Sequence, residues 1–380
     1  MNNSRKNNSR NVWSFGSASF LNDVGGEMIA PLLPFYIQSL GGAGIALGLV
    51  SGLREGLSSI FKILGGYFSD RIGKRTIFIF FGYLISTVFK FLIGIATSWQ
   101  HLIAFVSLER FGKFRDAPRD AVISYSGKTN GKNFGIVQMM DVLGGIFGMI
   151  LLLFLFNKFS LNFRSLIFIA AGISALSLIP LFFVKEPKIK AIRKTISYGI
   201  KHLNPRLKYF VFVSSFFAFA NFGLYMFLLL MAQELTKNFT ASILLYILFN
   251  ATYAIFLVPF GIMSDKLGRK KIIFLGYFLF VIVALGFIFA DKLIYLAILF
   301  AIYGLVYATT HASQRALVSD LSGKMKGTAF GFFHMTTGLA GIPGGIIAGA
   351  LWNLDSRLMF SYLSVLGFIS IILLLFVREK

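Results

Sequence analysis

Seven ionisable residues, Asp23, Glu27, Arg54, Glu55, Glu109, Arg110 and Lys113, fall near the middle of long apolar stretches. A charge at membrane depth costs about 2.5–3.5 kcal/mol on insertion scales, so each of these groups needs a partner or a watered path. Two chemistries suit them. A carboxyl whose proton affinity is raised by burial and lowered by a neighbouring cation can carry a proton, and a set holding both signs can anchor a charged or zwitterionic solute. Against these stands a permanent structural pair, Asp23 or Glu27 with Arg54 or Lys113. Helical spacing puts Asp23 and Glu27 on one face, Arg54, Ser58 and Lys62 on another, and Glu109, Lys113, Asp116 and Asp120 on a third, with Arg115 and Arg119 paired beside it.

The elements that position these charges follow from composition. Hydrophobic residues make up 56% of the 380 positions and charged ones 14%, the balance of a chain that meets lipid on most sides. At about 20 residues per span, the chain reads as an all-α integral membrane protein of twelve transmembrane helices. They begin near Trp13, Ala43, Ile77, His101, Phe134, Arg164, Tyr209, Thr240, Ile272, Leu293, Thr328 and Leu358. Asn22, Asp23 and Glu27 interrupt the first run, so it reads as a retained helix rather than a cleaved signal. The net charge of +22 sorts by side. Of 37 Lys and Arg residues, 24 fall in the termini and the loops on one side, 5 on the other and 8 within spans. That asymmetry predicts a cell-membrane protein with both termini cytoplasmic, its basic excess facing anionic lipid headgroups rather than nucleic acid. No cysteine is present, which excludes thiol chemistry and Cys-ligated zinc, and the four histidines lack metal spacing, so a zinc enzyme is unsupported and no cofactor is expected.

The chain is also doubled. Gly66–Arg75, GYFSDRIGKR, returns 195 residues later as Gly261–Lys270, GIMSDKLGRK. Arg119 maps onto Arg315, Phe134-Gly135 onto Phe330-Gly331, and Gly145 and Gly148 onto Gly341 and Gly344, all at offset 196. Two six-helix halves follow, 1–184 and 209–380, joined by a basic cytoplasmic linker at 185–208 that holds eight Lys and Arg residues and two prolines.

These paired G-x-x-S-D-[RK]-x-G-[KR]-[KR] loops resemble the signature loop of the major facilitator superfamily, found between its second and third helices and again between its eighth and ninth. The stretch Glu109–Ala121, ERFGKFRDAPRDA, is similar to a string of an uncharacterised subgroup of that superfamily. The resemblance implies a secondary active transporter of a small organic solute working by alternating access, with a site near the midplane and protons as the coupling ion. A monomer in the lipid bilayer is expected. It further implies a cytoplasmic gate. Asp70 would cap the eleventh helix, Arg71 or Arg75 would pair with Asp120, and Gly73 would turn the loop. Arg119 and Asp141 would belong to the closing lock, and the second copy would supply Asp265, Gly268, Arg269 and Lys270, with Asp320 as an acidic partner.

Seven of the eight basic residues within spans lie in the first half, matched by Asp23, Glu27, Glu55, Glu109, Asp116, Asp120 and Asp141, so proton coupling or an ionic substrate anchor is expected there. Arg110 stands where the superfamily's proton antiporters carry an arginine in helix four. A multidrug/proton antiporter is the alternative, weakened because helix five reads DVLGGIFG from Asp141 to Gly148 without the glycine-proline string of drug antiporters. The tyrosines and the 45 phenylalanines are expected as lipid-facing or core filler. A membrane-embedded enzyme built on Asp116, Asp120 and Asp141 would leave the duplication unexplained, and a non-transporting sensor or scaffold would predict gradient-insensitive binding without flux.

Overall fold

A computed structural model describes residues 2–124, 130–186, 203–322 and 326–379, apart from the side chains of 2–9, 70, 124, 130–135, 138 and 326–328. Most of the expected linker and the side chains of Asp70 and Gln138 therefore lie outside the described residues. The regular structure among the described residues is helical: α1 (Asn2–Ile29), α2 (Leu33–Ser39), α3 (Gly44–Ile72), α4 (Thr76–Gly94), α5 (Trp99–Phe111), a 3-10 turn (Gly112–Arg115), α6 (Asp116–Ser124), α7 (Asn130–Phe159), α8 (Phe163–Leu176) and α9 (Leu178–Leu181) come first. The second part holds α10 (Pro205–Ala220), α11 (Tyr225–Thr236), α12 (Phe239–Leu267), α13 (Arg269–Phe289), α14 (Leu293–Leu321), α15 (Lys326–Leu354) and α16 (Ser356–Leu375). Nine spans among the described residues are long and apolar enough to cross a membrane by those criteria alone. The first, second and fourth expected spans are not among them: α1 begins in a polar segment, α3 carries Arg54, Glu55 and Lys62, and the fourth is divided by the 3-10 turn.

Polar residues close the turns between spans. Asn162, Asn204, Asn238 and Asp355 each stand before a helix and accept a hydrogen bond from a backbone N–H of its first turn, at 2.7–3.1 Å. In the two signature loops Gly73 (φ 75°) and Gly268 (φ 101°) occupy the region of positive φ, which accounts for glycine at the same place in both copies.

The chain forms two compact units, Met1–Gly41 with Leu57–Lys194, and Gly42–Gly56 with Thr195–Lys380. In unit one, α1 lies along α7 in backbone contact: a Cβ added to Gly148 would stand 2.3 Å from the carbonyl oxygen of Val24. In unit two, α10 meets α15 the same way, with the Gly344 position 2.1 Å from the Phe219 oxygen. Val24 and Phe219 are 195 residues apart and Gly148 and Gly344 are 196, so the doubled sequence is a doubled packing.

The first half of α3 belongs to unit two, a grouping that a division at the linker does not anticipate. Its Gly44, Gly48 and Gly52 meet the backbone of α15 at Gly349, Gly345 and Gly341, and the Gly44 N–H donates to Asn353 Oδ1 at 2.5 Å.

Candidate functional site

The charges of unit one form two clusters. In the first, Lys90 on α4 is 2% exposed and its ammonium donates to the Asn22 carbonyl oxygen (2.9 Å), Asn22 Oδ1 (3.0 Å) and Ser174 Oγ (2.8 Å). Three donors thus meet three neutral oxygens supplied by α1 and α8. Asn22 Nδ2 donates onward to Asp23 Oδ1 at 3.2 Å. One turn before Lys90, Ser86 Oγ donates to Glu109 Oε1 at 2.6 Å, and Glu109, 4% exposed, pairs with Arg110 at 2.5 Å. Glu27 packs beside α7, its Cγ 3.3 Å from where a Cβ on Gly145 would stand.

The second cluster surrounds the 3-10 turn. Asp116 faces Lys62 (3.4 Å), Arg115 (3.8 Å) and Lys113 (4.0 Å). Arg119 pairs with Asp120 at 3.2 Å, approaches Asp141 at 3.9 Å, and donates to Ser19 Oγ at 2.7 Å. Ser19 Oγ and the Tyr83 hydroxyl are 3.0 Å apart, and the Arg115 guanidinium lies 4.2 Å from the centre of the Tyr83 ring. Gly82 and Gly112 let α4 and the turn approach closely enough for this, since a Cβ on either would stand within 2.7 Å of the other's carbonyl oxygen. The turn also breaks the single helical stripe expected from Glu109 to Asp120, because 3-10 geometry advances the face faster than 3.6 residues per turn.

The structure thus brings Arg119, Asp120 and Asp141 together and gives Lys113 to Asp116. It divides the seven mid-span residues: Asp23, Glu27, Glu109, Arg110 and Lys113 stand in unit one, Arg54 and Glu55 in unit two.

The signature loops are held by carboxylates that the sequence reading missed. Glu186 accepts from the N–H of Arg75 (2.8 Å) and of Thr76 (2.7 Å), and from the Thr76 hydroxyl, capping α4. In unit two Glu379 accepts from the N–H of Lys270, whose ammonium donates to the carbonyls of Leu375 (2.6 Å) and Val377 (2.9 Å). The signal is a second short repeat, Phe183-Val-Lys-Glu186 and Phe376-Val-Arg-Glu379, 193 residues apart. Arg269 pairs with Asp265 and, at 3.2 Å, with Asp320, while Arg71 is exposed.

Unit two also holds an aromatic column where filler was expected. Tyr303, Tyr307 and His311 recur at four-residue spacing along α14, and Phe249 and Tyr253 face them from α12. Phe249 stacks on Tyr303 with centroids 5.1 Å apart. The Tyr303 hydroxyl donates to Asn221 Oδ1 at 2.7 Å. Asn221 sits in the interruption between α10 and α11, where Ser51 Oγ lies 2.9 and 2.7 Å from the carbonyls of Phe222 and Gly223. An interrupted helix needs such outside donors for the carbonyls it frees. The four-residue spacing of Tyr303, Tyr307 and His311 was the readable sign of this column.

The Major Facilitator Superfamily profile matches residues 15–210 and again residues 210–380. An uncharacterised MFS-type transporter of Methanocaldococcus jannaschii is 46% identical over 379 residues, covering 97% of this chain and 95% of its own. The multidrug resistance protein MdtH of Sodalis glossinidius is 24% identical, over 93% of this chain and 89% of its own. Among solved structures, the nucleoside transporter NupG superposes with a TM-score of 0.83 at 15% identity, covering 96% of this chain and 99% of that one. A bacterial homologue of the human lysosomal transporter Spinster gives 0.76 at 14% identity, over 97% and 96%. With its packing doubled at one offset and the profile matched once per repeat, the chain belongs to the major facilitator superfamily, as a multi-pass membrane transporter rather than an enzyme.

Proposed function

We propose that the protein is a proton-coupled secondary transporter of a small organic solute, working by alternating access as a monomer in the cell membrane with both termini cytoplasmic. The observation that carries the coupling is the set of ionisable side chains buried in unit one. Glu109 and Lys90 are almost wholly buried there, beside Asp23 and Arg110, in a family whose members move solutes. Ionisable groups held this deep are costly to insert, and in transporters they mark ion pathways and proton relays. Asp23, Glu27 and Glu109 are the proton-carrying candidates, with Arg110 and Lys113 setting their affinity.

The gate reading assigns Asp70, Arg71, Gly73, Arg75, Arg119, Asp120 and Asp141, with Asp265, Gly268, Arg269 and Lys270, to closure on the cytoplasmic side. The Glu186 and Glu379 caps join this set because they hold the helix starts next to both loops. Export of drugs is the second reading, supported by the names of distant relatives.

The coupling reading is tested by Glu27→Gln in proteoliposomes. Uptake or efflux driven by an imposed pH gradient should be lost while solute exchange or binding persists. Gradient-driven flux equal to the parent's would remove Glu27 from the coupling path.

A further inference from the structure

The aromatic column of unit two has a chemistry that the proton and gate readings leave unused. Tyr307 is its hub: its ring centroid lies 4.8 Å from His311, 5.2 Å from Tyr303 and 5.9 Å from Tyr253. It is only partly buried, whereas Tyr303 behind it is wholly buried and fixed by its bond to Asn221. The amide that orients the column therefore comes from the interrupted helix.

Glu55 reaches the same interruption. A Cβ added to Gly223 would stand 3.7 Å from Glu55 Cγ, and one on Gly341 would stand 4.0 Å from its Cβ, so the Glu55 side chain packs against both positions. Asn221, which accepts from the Tyr303 hydroxyl, lies two residues before Gly223 in that interruption, so Glu55 stands at the Tyr303 end of the column. Aromatic rings present negative faces, and a carboxylate beside several of them makes a field that attracts cations and repels anions. The two helix ends that meet at the interruption carry opposite partial charges, so the side chains decide the sign. Arg54 precedes Glu55 but projects roughly 100° away around the helix. Arg315 lies about two turns beyond Tyr307 on α14, away from Tyr303 along the helix.

We infer that Glu55 and Tyr307, backed by Asn221 and Tyr303, form a subsite for a small organic ammonium. This rests on the transporter reading above and deepens it to a substrate class. The notable point is its place. Most of the charge within spans belongs to the first half of the sequence, yet the cation-attracting surface stands in the unit with few charges of its own, and its carboxylate is supplied by α3.

The test uses the purified full chain in nanodiscs, with choline as probe and 3,3-dimethyl-1-butanol as its neutral isostere, read by calorimetry. Choline should bind saturably, and the alcohol at least about tenfold more weakly. Glu55→Gln and Tyr307→Leu should each weaken choline about tenfold, and Tyr307→Phe less than about threefold, because the ring and not the hydroxyl meets the cation. Thermal unfolding without ligand identifies any variant that fails to fold, and the Tyr307→Phe and Tyr307→Leu comparison keeps the ring's role testable. Equal binding of the isostere, indifference to Glu55→Gln and Tyr307→Leu, or no saturable binding of choline overturns the subsite. Flux of choline, lactate and a neutral nucleoside in proteoliposomes separates the two readings. Flux of a non-cation with no choline binding overturns the subsite and leaves transport standing. Choline binding that needs Glu55 and Tyr307, without flux of any solute, supports the subsite and counts against transport.

Discussion

Replacing Glu186 with alanine should release the start of α4. The carboxylate accepts from two backbone N–H groups, at 2.8 and 2.7 Å, and from the Thr76 hydroxyl. Those amides are among the four that a helix cannot satisfy internally. Loss of a side-chain cap costs about 1 kcal/mol, and loss of an anion from a helix N-terminus about 0.3–1 kcal/mol where the site is exposed, as Glu186 is. The expected total is about 1–2 kcal/mol. Hydrogen exchange at the Arg75 and Thr76 amides should then quicken by roughly five- to thirtyfold. Glu186→Gln, which keeps one acceptor oxygen but no charge, should fall between. Glu379→Ala should do the same at Lys270, and the double variant should sum the two effects to within about 0.5 kcal/mol, since the caps share no partner. Unchanged exchange at Arg75 and Thr76 in Glu186→Ala would refute the capping argument. So would a Glu379→Ala effect that appeared at α4 instead of α13.

Lys90→Met should lower stability in spite of removing a buried charge. It strands Asn22 Oδ1 at a cost of about 1–3 kcal/mol, and a thermal midpoint at or above the parent's would show that the three oxygens had not been holding the ammonium. Asp70→Asn should shift thiol labelling toward the cytoplasm-open pattern. Because the chain has no cysteine of its own, single introduced cysteines report this without background, and an unaltered pattern counts against the gate.

The architecture was legible because duplication leaves its record in spacing. Gly148 and Gly344 occur at one offset, and they do the same work against α1 and α10. The loop glycines were legible for a related reason: Gly73 and Gly268 fill a backbone conformation that few other residues accept. What escaped were contacts whose partners are distant and chemically plain. Lys90 stood out as a charge within a span, but nothing in the local sequence points to Asn22 and Ser174 as its oxygens. Glu186 was hidden in a linker that read only as basic and cytoplasmic, and Glu379 in residues beyond the last span. The tyrosines of α14 looked like filler because aromatic residues are common throughout this chain, so composition masked a four-residue periodicity. Helix four misled for a different reason, since a 3-10 turn cannot be read from spacing that assumes 3.6 residues per turn.

The Lys90 tripod also sets an order in time. Its ammonium sits in the third span, two of its oxygens are on Asn22 in the first, and the last is on Ser174 in the sixth. A ribosome adding about 5–20 residues per second delivers Ser174 roughly 4–17 s after Lys90. During that interval the amine enters lipid with two of its three acceptors already made and the third not yet synthesised. Insertion of the third span therefore depends on the first having stayed beside it, and the unit closes only when the sixth arrives.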